Sequence, residues 1–137
     1  MTPVLDASLF VASLSPSEGH HATARRLLDG HDSADAYLVP SLFRIEVLAA
    51  LSRRGEDPYR IDAVDAMIRG PRFHTCPLND LLIARSVEVA RVAKLRAYDA
   101  VYVALALIKG TQLWTLDGDV RARVGTAWPS LEVIGPM

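Results

Sequence analysis

Short runs rich in Val and Leu alternate along the chain with longer stretches whose apolar positions recur every three or four residues. That alternation predicts an α/β domain built on a mainly parallel sheet of about five short strands. The expected strands are Pro3 to Leu5, Tyr37 to Val39, Phe73 to Cys76, Leu113 to Leu116 and Glu132 to Ile134. Helices fall between them, with ends marked by local chemistry. One runs from Gly19 to Leu28 and closes at Gly30, and another from Ser41 to Arg53 closes at Gly55. Asp57 and Pro58 open a third that ends at Gly70-Pro71, Asn79 caps a long one reaching about Leu95, and Tyr98 to Ile108 forms one that stops at Gly110. Ala7 begins a helical turn after the first strand, and Gly118 is expected to serve a tight turn after the fourth.

With 137 residues, half of them hydrophobic, the chain is sized for one domain spanning 1–137 with a single core. Lys and Arg number 15 against 16 Asp and Glu, a net charge of −1, so any nucleic-acid binding must be local. The single cysteine, Cys76, excludes an internal disulfide and a multi-cysteine metal site; it fits a reducing compartment and reads as a small core residue. No cationic leader precedes the apolar stretch Leu9 to Leu14, which is too short to span a bilayer. A cytoplasmic protein without membrane attachment is expected. A mean hydropathy of +0.18 with long apolar helices suggests that some apolar surface is covered by a partner, around Leu42 to Leu51 or Ala24 to Leu28.

In a sheet of this kind ligands gather outside the carboxyl ends of the strands. Asp6 stands at the end of the first strand and Asp117 follows the fourth, with Asp119 two residues on. Glu46 lies in the series Leu42-Phe43-Arg44-Ile45-Glu46-Val47, apolar nearly all round, so its helix is expected to be largely buried and its acid to need a partner. Asp99 opens a helix that carries no further charge until Lys109, and it sits in the first turn where the helix dipole favours an anion. Taken singly, each acid also fits a cap, a turn residue or a solvated position. Taken together, four carboxylates converging in an otherwise neutral chain would repel one another unless a hard divalent cation held them. The histidines, His20, His21, His31 and His74, have no supporting ligand spacing, and Tyr98, Tyr102, Trp114 and Trp128 read as packing residues.

Four segments, Val4-Leu5-Asp6-Ala7-Ser8, Pro40 to Val47, Arg96 to Ala106 and Leu113 to Asp117, resemble in order and spacing the PIN-domain ribonucleases, most closely the VapC toxins of bacterial toxin–antitoxin pairs. The resemblance implies a PIN-like three-layer α/β/α domain and a metal-dependent endoribonuclease using Mg²⁺ or Mn²⁺. It further implies a homodimer and a cognate VapB-like antitoxin. Carried over by position, Asp6, Glu46, Asp99 and Asp117 would be the catalytic, metal-binding acids, Ser8 and Thr115 hydroxyls that support them, and Asp119 an auxiliary ligand. RNA would follow a local basic surface drawn from Arg25, Arg26, Arg53, Arg54, Arg91, Lys94 and Arg96. Two other readings stay open. One is an Asp-dependent phosphatase or phosphoacceptor, weakened by the lack of an Asp-x-Asp at the first strand end. The other is a PIN-like protein-binding module with weak metal affinity.

Overall fold

The computed structural model describes residues 2–31 and 36–135. Its strands are β1 (Val4–Leu5), β2 (Tyr37–Pro40), β3 (Phe73–Cys76), β4 (Leu113–Trp114) and β5 (Val133–Ile134), and its helices are α1 (Ala7–Leu14), α2 (His21–Asp29), α3 (Leu42–Arg53), α4 (Pro58–Ile68), α5 (Asp80–Ala93), α6 (Ala97–Lys109) and α7 (Gly118–Ala127). The strands form one sheet in the order β3-β2-β1-β4-β5, and every pairing is parallel. The central position of β1 explains its composition: Val4 and Leu5 are fully buried, as a strand covered on both faces requires.

Handedness then distributes the helices. The chain steps from β1 to β2 to β3 in one direction and from β3 to β4 to β5 in the other. Right-handed crossovers in opposite directions place α1 to α4 on one face of the sheet and α5 to α7 on the other. The main helix–helix contacts respect that division, with α1 against α2 and α3, α3 against α4, and α5 against α6 and α7. This is the three-layer α/β/α arrangement. The most buried helix is α6, in which Ala100 through Ala106 are all buried; its alternation of small and large residues lets it lie close against β1, β2 and β4.

Observed helix and strand ends lie close to the expected ones, with physical reasons for the differences. The fourth strand stops at Trp114, although the Thr115 amide still donates to the Ile134 carbonyl at 2.9 Å. The long helix ends at Ala93 because Lys94 adopts a left-handed backbone. The expected tight turn at Gly118 is instead the start of α7, nucleated by the Asp117 side chain, which accepts from the amides of Asp119 and Val120. Nor is α3 buried nearly all round: Phe43, Val47 and Leu51 face the core, while Arg44 is exposed and Ile45 is 71% exposed. Cys76 is only half-buried against the core edge. Where β5 meets β4 the fit is close enough that a Cβ on Gly135 would lie 1.9 Å from the Thr115 carbonyl oxygen, so no side chain is tolerated there. Among the described residues no helix is long and apolar enough to cross a membrane.

Candidate metal centre

The strand order reverses between β1 and β4, and this crevice is where an open parallel sheet offers room for a ligand. Asp6 is the first residue past β1 and Thr115 the first past β4. The Asp6 amide donates to the Trp114 carbonyl at 2.9 Å, so the two strand ends are held in register. Thr115 Oγ1 donates to Asp6 Oδ2 at 2.6 Å and Ser8 Oγ donates to the same oxygen at 3.0 Å, while the Asp6 carboxylate also caps α1. Asp6 is 8% exposed. Burial raises its pKa, the Thr115 and Ser8 hydrogen bonds pull it back, and the negative charge of Asp99 raises it further.

Glu46 reaches the same crevice from α3. Its Oε1 accepts a 3.0 Å hydrogen bond from the hydroxyl of Tyr102, which comes up from the core helix α6 on the other side of the sheet. Burial, opposed by the Tyr102 bond and reinforced by Asp6 and Asp99, pushes the Glu46 carboxyl up to about 7. The Tyr102 phenol is itself pushed up by burial and by the Glu46 charge, and so serves as a neutral donor. The expected partner of Glu46 is thus Tyr102, which packs in the core with its ring and donates with its hydroxyl.

Asp99 lies in the first turn of α6, where Arg96 Nε donates to its Oδ2 at 3.3 Å. Burial raises its pKa, Arg96 lowers it, and Asp117 and Asp119 raise it. Arg96 Nη2 also stands 3.9 Å from Asp117 Oδ2, so one mostly exposed guanidinium spans two of the acids. Asp6, Glu46, Asp99 and Asp117 together line one cavity of about 640 Å³, joined by Ser8, Arg53, Arg54, Arg96 and Tyr98. Thr115 is buried behind Asp6 and outside that lining. Asp119 does not line the cavity; it turns to Arg123 at 2.9 Å.

The expected basic surface divides. Arg53, Arg54 and Arg96 border the acidic cavity, with Arg54 paired to Glu18. Arg25 pairs with Asp29 on α2, and Arg91 and Lys94 line a separate depression along α5. Tyr98, expected to pack, is 62% exposed at the cavity. The apolar run that follows, Ala100 to Ile108, gives no signal of that exposure.

The donor set suits a hard divalent cation: carboxylate oxygens only, with Asp6, Glu46 and Asp99 each raised in pKa by burial and by neighbouring carboxylates. Among the described residues no three His, Cys, Asp or Glu side chains already form a cage around a point. The reason is visible in the hydrogen bonds, since each of the four acids is turned onto a protein donor: Thr115 and Ser8, Tyr102, Arg96, or the α7 amides. Side-chain rotation away from these donors is what ligation would require.

A parallel three-layer α/β/α sheet with acids gathered at its strand-order reversal is the architecture. The PIN domain family matches residues 4–125, and the chain belongs to that family. The VapC20 toxin of Mycobacterium tuberculosis, named as cleaving the sarcin-ricin loop, shares the fold with a TM-score of 0.75 at 22% identity, over 88% of this chain and 94% of its own. FitAcB from Neisseria gonorrhoeae gives 0.73 at 16% identity over 98% of each chain, and a toxin–antitoxin complex from Klebsiella pneumoniae gives 0.71 at 17% identity over 99% and 98%. Likeness at these identities concerns the fold. No curated protein matches by sequence.

Proposed function

We propose that this PIN domain is a metal-dependent endoribonuclease, the toxin of a toxin–antitoxin pair. The observation that carries the reading is the convergence of Asp6, Glu46, Asp99 and Asp117, from four separate parts of the chain, on one cavity at the strand-order reversal. Solved toxin–antitoxin complexes with the same fold support the second half of the proposal.

The chain's own residues divide the work. Thr115 and Ser8 hold the Asp6 carboxylate at the sheet edge, Tyr102 holds Glu46 opposite, and the helix start of α6 presents Asp99. Mg²⁺ or Mn²⁺ bound by these acids would supply Lewis acidity and an acidified water for attack on a phosphodiester. Without a cation the acids repel the RNA backbone, so the arginines bordering the cavity, Arg53, Arg54 and Arg96, are assigned to the flanking phosphates. The exposed apolar residues elsewhere, Leu81, Val87 and Val92 on α5 and Tyr59 and Met67 on α4, are surface that a second copy and an antitoxin would cover.

The test is cleavage of labelled RNA by the purified chain in Mn²⁺ or Mg²⁺. Wild type is expected to cut, and Asp6→Ala, or excess chelator, to abolish cutting while the circular dichroism spectrum stays native. Undiminished cleavage under either condition refutes the reading. Co-purification with the product of the adjacent reading frame tests the antitoxin.

A further inference from the structure

Of the large hydrophobic side chains left exposed, two, Ile45 at 71% and Tyr98 at 62%, line the acidic cavity itself. They reach it from different elements, Ile45 from α3 beside Glu46 and Tyr98 from the first turn of α6 beside Asp99. Among the described residues Tyr98 makes no hydrogen bond and no ring contact, whereas Tyr37, Phe10, Phe43 and Phe73 stack on one another in the core. Tyr102, one turn further along α6, is 2% exposed and committed to Glu46. Packing therefore explains Tyr102 and leaves the Tyr98 ring free.

We infer that Tyr98 is a base-stacking platform that positions the nucleotide next to the bond the proposed nuclease cuts. The inference rests on the ribonuclease reading and adds to it a residue that holds the substrate base. Three observations favour a nucleic acid over a protein as the occupant. The ring stands beside Asp99 in a cavity that also holds Asp6, Glu46 and Asp117; Arg53, Arg54 and Arg96 in the same lining supply positive charge for the phosphates flanking a stacked base; and a cavity of about 640 Å³ has room for a nucleotide. A base inside a duplex is covered on both faces by its neighbours, so only an unpaired strand or loop can offer one to Tyr98.

The experiment uses the full chain in Mn²⁺ with a labelled single-stranded RNA and the same RNA annealed to its complement. Tyr98→Ala is expected to raise KM roughly 5- to 150-fold, the range for losing one stacked base, with kcat changed less than about threefold. Tyr98→Phe is expected to behave as wild type, and Mn²⁺ affinity by calorimetry to be the same in all three proteins. The duplex is expected to be a poor substrate for wild type. An unmoved KM in Tyr98→Ala, a Phe variant as impaired as Ala, or equal cleavage of duplex and single strand overturns the inference. So does an unmoved KM accompanied by lost binding of the neighbouring gene's product, which would assign the ring to a protein. Wild-type cleavage that vanishes in Asp6→Ala, measured on the same RNA, tests the ribonuclease reading separately: if wild type cuts but is indifferent to Tyr98, the platform alone fails.

Discussion

Glu46→Gln is expected to stabilise the protein at alkaline pH while removing its affinity for divalent metal. In the unfolded chain the Glu46 carboxyl loses its proton near 4.5, and in the folded protein near 7, chiefly because burial opposes the charge. Between those values the folded state holds a proton that the unfolded state has released, so stability falls as pH rises through the window and levels off above about 7. At about 1.36 kcal/mol per pH unit the full displacement would be worth roughly 3 kcal/mol. The side chain is only partly buried, so solvent screening reduces the expected effect to about 1–2 kcal/mol. Gln keeps the acceptor for Tyr102 and has no charge to desolvate. For a domain of this length the variant should melt about 5 °C above wild type at pH 8, with the difference vanishing near pH 4.5. Thermal melts in chelator across that range measure it directly. With Mn²⁺ in large excess wild type should overtake the variant, because binding to the folded state alone adds about 2.7 kcal/mol at one hundred times the dissociation constant. A difference independent of pH, or a wild type more stable than Glu46→Gln at pH 8 in chelator, would refute the reasoning.

Other outcomes follow from single contacts. Tyr102→Phe removes the donor that fixes Glu46 and should weaken Mn²⁺ binding roughly fivefold, seen by calorimetry, for the loss of about 1 kcal/mol of hydrogen bonding. Thr115→Val removes the 2.6 Å donor to the buried Asp6 Oδ2, leaving it Ser8 alone, and should lower the melting temperature in chelator more at neutral pH than in acid, where a protonated Asp6 has less need of a donor. Leu105→Ala, in the fully packed stretch of α6, should destabilise by about 3 kcal/mol in urea denaturation. Gly110→Ala should cost about 1 kcal/mol in the same assay, because the residue closes α6 in a left-handed conformation.

Much of the architecture is legible in the chain because its strands are short, branched and bounded by caps, and because parallel sheets leave few places for acids to gather. Asp6 and Asp117 are found from strand ends alone. The start of α7 escapes such reading, since Gly118 and Gly125 weaken the helical pattern and the cap made by Asp117 looks like a turn. Exposure escapes it too. Tyr98 and Tyr102 lie four residues apart on roughly one face of α6, yet the first has run past the end of the sheet and the second is held beneath it. Ile45 sits in an apolar series that suggests burial, and only the placement of α3 at the rim of the cavity leaves it in solvent. Periodicity gives a direction on a helix and says nothing of what stands opposite.

The close seat of Gly135 on the Thr115 carbonyl makes the fifth strand a part of the acidic cavity's frame. Thr115 is gripped from behind by β5 through its amide and reaches forward with its hydroxyl to Asp6. A methyl group added at Gly135 would wedge the outermost strand away from its neighbour and carry that hydroxyl with it. The edge strand thus acts as a backstop: it lines no part of the cavity, yet it fixes the distance across which the first acid of the cavity is held.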